Sequence, residues 1–126
     1  MIDELGKNKV YINDHGFIEI EVIGEQTVDS VEAMADRAEA LAQDEREHGN
    51  RALVLDNLLR MGKVPKNARK KVVERAKTGG YDKLAMLGKD PLLRFAANLM
   101  LRAIGRSGKV RYFEDYSQAV DWLKSE

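Results

Sequence analysis

Two uninterrupted apolar runs, each set between amphipathic helical patterns, constrain the fold of this chain most. Ala52–Leu55 and Leu84–Leu87 contain no polar residue, which is typical of strands that are covered on both faces. Apolar residues spaced by threes and fours precede the first run, from Thr27 to about His48, and similar stripes follow both runs. Strands that alternate with helices predict a mainly parallel sheet joined by right-handed crossovers.

Further strands are predicted near both ends of the chain. The turn sequence Asn13-Asp14-His15-Gly16 separates two short strand patterns and predicts an antiparallel hairpin. Val110–Phe113 is the last predicted strand, and a helix capped by Asp115 follows it. We therefore predict an α/β fold with a mainly parallel five-stranded sheet, an N-terminal β-hairpin and four helices, formed by residues 1–126 as one domain.

The predicted helix from Leu92 to Ile104 is apolar on more than one side. Its inward stripe is predicted to consist of Leu92, Phe95, Ala96, Leu99, Met100, Ala103 and Ile104. Leu93, Ala97 and Leu101 widen the apolar surface, which indicates a helix covered on more than one side. We expect these three residues to form a homodimer contact or to line a pocket for an apolar ligand. The alternative is a helix that simply lies deep within one monomer.

Composition excludes several classes of protein. The 21 Lys and Arg residues balance 21 Asp and Glu residues, so a globally basic nucleic-acid-binding protein is not expected. The absence of cysteine excludes thiol catalysis, disulfides and zinc–cysteine sites. The charged N-terminus lacks the apolar core of a signal peptide, and the uncharged stretch 95–101 is too short to span a bilayer. We expect a cytoplasmic protein with no membrane span.

Charge is separated along the chain. Residues 1–63 contain 14 acidic and 7 basic side chains and residues 64–126 contain 7 and 14, so the halves carry about −7 and +7. This separation could steer a charged ligand or partner. We favour the alternative, in which the halves lie side by side and neutralise each other. In particular, the basic helix predicted after Pro65 has no interleaved aromatic residue and is expected to offset the acidic first helix rather than to bind nucleic acid.

Polar residues after the apolar strands define a candidate ligand site. Asp56 and Asn57 follow the first run directly, and Lys63, Lys89 and Arg94 fall in the segments after the two strands. Because parallel strands end at one sheet edge, where helix N-termini attract anions, these residues could bind a phosphate or carboxylate. The alternative is that Asp56 caps the following loop and that the lysines are only solvated.

No arrangement of residues predicts catalysis or a metal site. His15 and His48 are far apart and lack the spacing of metal ligands. No serine lies in a nucleophile elbow, and no nucleophile, base and orienting group converge in the pattern. We predict no catalytic residue, no bound metal and no cofactor.

Several segments resemble SpoIIAA-like, STAS-type domains. They are the strand Gly16–Ile20 with Gly24-Glu25 and the capped helix, the strand that ends Leu53-Val54-Leu55-Asp56, and the C-terminal stretch Val110–Leu123. The resemblance covers nearly the whole chain and implies the SpoIIAA-like (STAS) fold. It also implies a non-catalytic role, as an anti-sigma-factor antagonist, a transporter appendage or a sensor. Some relatives with the similar lipid-exchange fold bind hydrophobic ligands.

The sequence departs from the antagonists of this family at their regulatory site. Those proteins switch through a phosphorylated serine that follows the strand ending in aspartate. This chain has no serine or threonine between Asp56 and Thr78, so phosphate cannot be added there. We therefore expect a regulatory domain that acts through protein–protein interaction, as a homodimer or with another protein. The alternative is a carrier or sensor of a hydrophobic or anionic small ligand.

Overall fold

The computed structural model describes residues 7–105 and 108–125, except for the side chains at positions 92, 93, 95, 96 and 100. The strands are β1 (Lys9–Ile12), β2 (Ile18–Gly24), β3 (Leu53–Met61), β4 (Lys83–Leu87) and β5 (Val110–Phe113). The helices are α1 (Val28–Glu47), α2 (Lys66–Thr78), α3 (Pro91–Ile104) and α4 (Tyr116–Lys124). The order of strands and helices is the one that the sequence predicts.

The five strands form one sheet in sequential order, β1-β2-β3-β4-β5. β1 is antiparallel to β2, and the remaining neighbours are parallel, so the predicted hairpin and parallel sheet are confirmed. Each crossover moves to the next strand in the same direction, and α1, α2 and α3 pack side by side on one face of the sheet. α4 follows the last strand and packs on the other face, against β3, β4 and β5.

The core has two parts, one on each side of the sheet. Successive strand residues point to opposite faces, so Ile18, Ile20 and Val22 face the layer formed by α1, α2 and α3. Leu55 and Leu87 belong to the second part, which α4 covers. Strands β3 and β4 therefore have both faces buried, as their continuous apolar runs predict.

Local interactions fix the start of α1 and the chain path after β3. The Thr27 hydroxyl accepts a hydrogen bond from the Ser30 N–H at 3.0 Å, and the Ser30 hydroxyl accepts one from the Thr27 N–H at 2.9 Å. This reciprocal cap satisfies donors at the helix start. Gly62 donates to the Gly24 carbonyl at 2.8 Å, and a Cβ at Gly62 would lie 2.9 Å from the Gly24 carbonyl carbon. The backbones at Gly24 and Gly62 can approach this closely only because Gly62 has no side chain.

Strand β3 is longer than the sequence predicts. The prediction placed its end at Asp56, with a loop over residues 57–63, whereas the strand continues to Met61. Its second half pairs with β2, and Gly24 is the register partner of Met61. The prediction was wrong because β2 supplies backbone partners even where the side chains of β3 are polar. Asp56 therefore lies in the middle of a strand, not at its carboxyl end.

The predicted inward stripe of α3 is wrong at two positions. The Leu99 side chain is 51% exposed and Ala103 is also exposed, whereas Ala97 is fully buried. Leu101 packs against the core and Ile104 is buried. Because apolar residues occur on nearly every side of this helix, periodicity alone does not fix its rotation. The remaining members of the predicted stripe, Leu92, Phe95, Ala96 and Met100, lie outside the described side chains.

Candidate functional site

A cavity of about 100 Å³ lies between the sheet and helices α1 and α2. Helix α1 contributes three alanines to its wall, Ala35, Ala38 and Ala42, and α2 contributes Ala76. Protein interiors are normally packed to near-crystalline density. Here the small side chains on both helices leave space above the sheet. The side chains that line the space are apolar apart from Glu39, Asp56, Arg75 and Tyr81.

Asp56 reaches this cavity from the middle of β3. It lies on the same sheet face as Val54, which also lines the cavity. Asp56 Oδ1 is enclosed, and within residues 7–105 and 108–125 it has no hydrogen-bond partner. The side chain as a whole is only partly buried, since it borders the cavity. Burial disfavours the charged form and raises the pKa of the Asp56 carboxyl to about 7. One oxygen of the Asp56 carboxyl therefore has a hydrogen-bonding capacity that the described residues leave unused.

Ion pairs join α2 to α1 beside the cavity, and Glu39 and Arg75 are the members of these pairs that line it. Arg75 of α2 pairs with Asp36 at 2.8 Å and with Glu39 at 3.0 Å, and it also contacts Glu32. Lys71 pairs with Glu32 at 3.7 Å. The expected neutralisation of the acidic first helix by the basic second helix is confirmed at Lys71 and Arg75. These contacts join the two helices across the cavity.

Asn57 belongs to a different polar cluster, on the opposite face of the sheet. Its amide donates to Glu19 Oε2 at 3.2 Å, and the Asn13 amide donates to Glu19 Oε1 at 3.0 Å. Glu19 is 6% exposed and is held by these two amides. The Asn57 side-chain oxygen Oδ1 accepts a hydrogen bond from the Leu59 N–H at 3.1 Å. Asn57 therefore stabilises the hairpin side of the sheet.

The structure does not bring the five residues of the predicted anion site together. Asp56 and Asn57 point to opposite faces of the sheet, and Asp56 alone among the five lines the cavity. Arg94 is exposed and pairs with Glu114 at 2.5 Å. Lys63 and Lys89 are both exposed. The expectation that Asp56 caps a loop is also wrong, because β3 continues past it.

Ala97 and Leu101 of α3, which were predicted to line a pocket, do not line this cavity. Ala97 and Leu101 pack into the core, and among the described residues of α3 it is Ile104 that lines the cavity. The side chain of Leu93 lies outside the described part of the structure. Glu39 and Arg75 line the cavity, although neither was predicted as a site residue. The signal that could have indicated the cavity is the series of alanines on the inner stripe of α1.

Metal binding and membrane spanning have no support in the described ranges. Residues 7–105 and 108–125 contain no group of three or more His, Cys, Asp or Glu side chains arranged to hold a metal ion. In the same ranges, no helix combines the length and apolar character needed to cross a membrane.

Comparison with known proteins agrees with this architecture. A family model described as SpoIIAA-like matches residues 17–124. The chain is similar to the crystal structure of an uncharacterized protein from the DUF3478 family with a SpoIIAA-like fold, from Shewanella loihica PV-4. The TM-score is 0.64 and the sequence identity is 16%, over 92% of this chain and 91% of that chain. No curated protein gave a significant match. At this identity, the structural likeness shows the fold alone.

Proposed function

The chain belongs to the SpoIIAA-like family, and from this premise we propose that it is a binding protein for a small, largely apolar ligand. The observation that supports the proposal is the cavity between the sheet and helices α1 and α2. Ligand sites are concave and mostly apolar, with a few polar groups that orient the ligand. This cavity has that composition, and the protein acts by holding the ligand rather than by transforming it.

The size of the cavity limits the ligand. An enclosed apolar cavity of roughly 150 Å³ accepts benzene. This cavity has about 100 Å³ and opens at the surface, so it holds the end of an alkyl chain whose remainder extends through the opening. A short alkyl chain fits this description. Transfer of such a chain from water contributes about 0.8 kcal/mol for each buried methylene.

A matched pair of variants on α1 tests the proposal. Ala38→Leu adds a side chain inside the cavity, whereas Ala40→Leu adds the same atoms at an exposed position of the same helix. Calorimetric titration with n-hexanol should detect binding to the unmodified protein and to Ala40→Leu. Ala38→Leu should lose at least about tenfold in affinity, since each tenfold corresponds to about 1.4 kcal/mol. Equal affinity in the two variants, or no binding to the unmodified protein, would contradict the proposal.

A second candidate function, protein–protein interaction through a homodimer, is favoured by α3. Leu99 is 51% exposed, and Ala103, one turn further on, is exposed beside it. Closed two-fold dimers are the commonest assembly of soluble proteins. Leu99→Lys should convert a dimer into a folded monomer, as measured by native mass spectrometry and circular dichroism. Leu101→Lys would not test this, because Leu101 packs against the core. A monomeric unmodified protein would refute the homodimer.

A further inference from the structure

We propose that Asp56 makes the cavity selective for a primary amine, with its carboxylate binding the ammonium group while the apolar walls hold a short alkyl chain. This inference rests on the binding function proposed above and names its ligand class. It concerns a single polar group in an otherwise hydrophobic part of the cavity wall.

The first argument is the missing partner of Asp56. Buried polar side-chain atoms almost always have a hydrogen-bond partner, and each exception calls for an explanation. Asp56 Oδ1 is enclosed and has no partner in residues 7–105 and 108–125, and the Asp56 residue is part of the lining of a space that a ligand could enter. A ligand that donates hydrogen bonds would supply what the protein does not. An ammonium group supplies three donors and a compensating charge.

The second argument is the set of charged groups around the cavity. From α1, Glu39 lines it, and from α2, Arg75 lines it. The Arg75 guanidinium is engaged by three carboxylates of α1, at Glu32, Asp36 and Glu39. Among the described residues that line the cavity, the acidic Glu39 and Asp56 outnumber the single cation Arg75. No cation among the described residues contacts Asp56. A positively charged ligand is attracted by this distribution, whereas a carboxylate ligand is repelled.

Among the described residues, the remaining walls offer no competing side-chain group. Sheet strands β2 and β4 contribute Ile20, Leu84 and Met86, and α3 contributes Ile104. The Tyr81 hydroxyl already donates to the Ala76 carbonyl at 2.5 Å. Recognition of the polar end of a ligand therefore falls to Asp56. Because burial raises the pKa of Asp56 to about 7, the carboxylate predominates at pH 8 and the neutral acid at pH 6.

Three probes of equal chain length separate the ligand classes: n-hexylamine, n-hexanol and hexanoate. Calorimetry at pH 8 should show n-hexylamine binding at least about tenfold more tightly than n-hexanol, the strength expected of a hydrogen bond to a charged group. Asp56→Asn should abolish the preference for n-hexylamine and should still bind n-hexanol. Asp121→Asn, an exposed carboxyl on the opposite face of the sheet, should leave all three affinities unchanged.

A second measurement needs no variant. The affinity for n-hexylamine should fall between pH 8 and pH 6 as Asp56 gains a proton, because an alkylamine stays protonated across this range. The inference would be overturned if n-hexylamine bound equally well at the two pH values or equally well to Asp56→Asn. It would also be overturned if hexanoate bound as tightly as n-hexylamine. In each case the binding function still stands if n-hexanol binds. Failure of both n-hexanol and n-hexylamine to bind would overturn the inference together with the proposed function.

Discussion

Replacing Asp56 by asparagine should stabilise the folded protein at pH 8 but much less at pH 5. Burial raises the pKa of Asp56 from its ordinary value of 3.8 to about 7. The folded protein therefore binds this proton more tightly than the unfolded chain does. Between those two values, the free energy of unfolding falls as pH rises. The stabilising effect of the proton is complete below pH 3.8 and is lost by about pH 7.

The magnitude follows from the width of this interval. A change of one pKa unit corresponds to 1.36 kcal/mol, so a group titrating near 7 loses about 2 to 3 kcal/mol of its contribution between pH 5 and pH 8. Asparagine has a similar shape and cannot ionise. The free energy of unfolding of Asp56→Asn therefore does not include this decrease between pH 5 and pH 8. The unsatisfied polar group remains in both proteins and largely cancels in the comparison.

Urea denaturation followed by circular dichroism measures the effect. The unfolding free energy of Asp56→Asn minus that of the unmodified protein should increase by about 2 to 3 kcal/mol from pH 5 to pH 8. Subtraction removes the contributions of all other titrating groups. The control variant Asp121→Asn, at an exposed position outside the cavity, measures what a carboxyl-to-amide change contributes in the same assay. A constant difference for Asp56→Asn, or one that decreases with pH, would refute the claim that this carboxyl is buried without a partner.

Other substitutions test how the helices and the sheet are joined. Arg75→Gln removes the ion pairs between α2 and α1. It should lower the free energy of unfolding, measured by urea denaturation, by about 1 kcal/mol at low salt and by less in 1 M NaCl. A decrease that does not depend on salt would argue against these pairs. Thr27→Ala removes the α1 cap and should cost about 1 kcal/mol in the same assay, whereas an unchanged midpoint would show that the cap is dispensable. Gly62→Ala places a Cβ 2.9 Å from the Gly24 carbonyl carbon and should lower stability by about 1 to 3 kcal/mol; a thermal midpoint equal to that of the unmodified protein would contradict the close approach.

Periodicity in the sequence was sufficient to predict the order of the elements. The stripe of α1 that includes Val31 and Ala42 faces the core as predicted, since only one side of that helix is apolar. The continuous apolar runs correctly indicated strands with both faces covered. The turn at Gly16, with a φ of 82°, joins the hairpin as its sequence predicts.

The cavity and its carboxyl group could not be predicted in the same way. Asp56 follows an apolar run, and a charged residue in that position usually marks the end of a strand. Its placement inside depends on pairing between the second half of β3 and β2, which is a tertiary property. The rotation of α3 is likewise set by its neighbours, because its sequence offers apolar residues on several sides. An empty space arises from side-chain volumes on several elements at once, and no local pattern records it.

The most direct test of ligand binding uses the methionine methyl groups. Met34 of α1 and Met86 of β4 line the cavity, whereas Met61 packs elsewhere against the core. In protein labelled with ¹³C at the methionine methyls, titration with n-hexanol should shift the resonances of Met34 and Met86 and leave that of Met61 in place. Shifts absent from Met34 and Met86, or equal at all three positions, would contradict binding in this cavity.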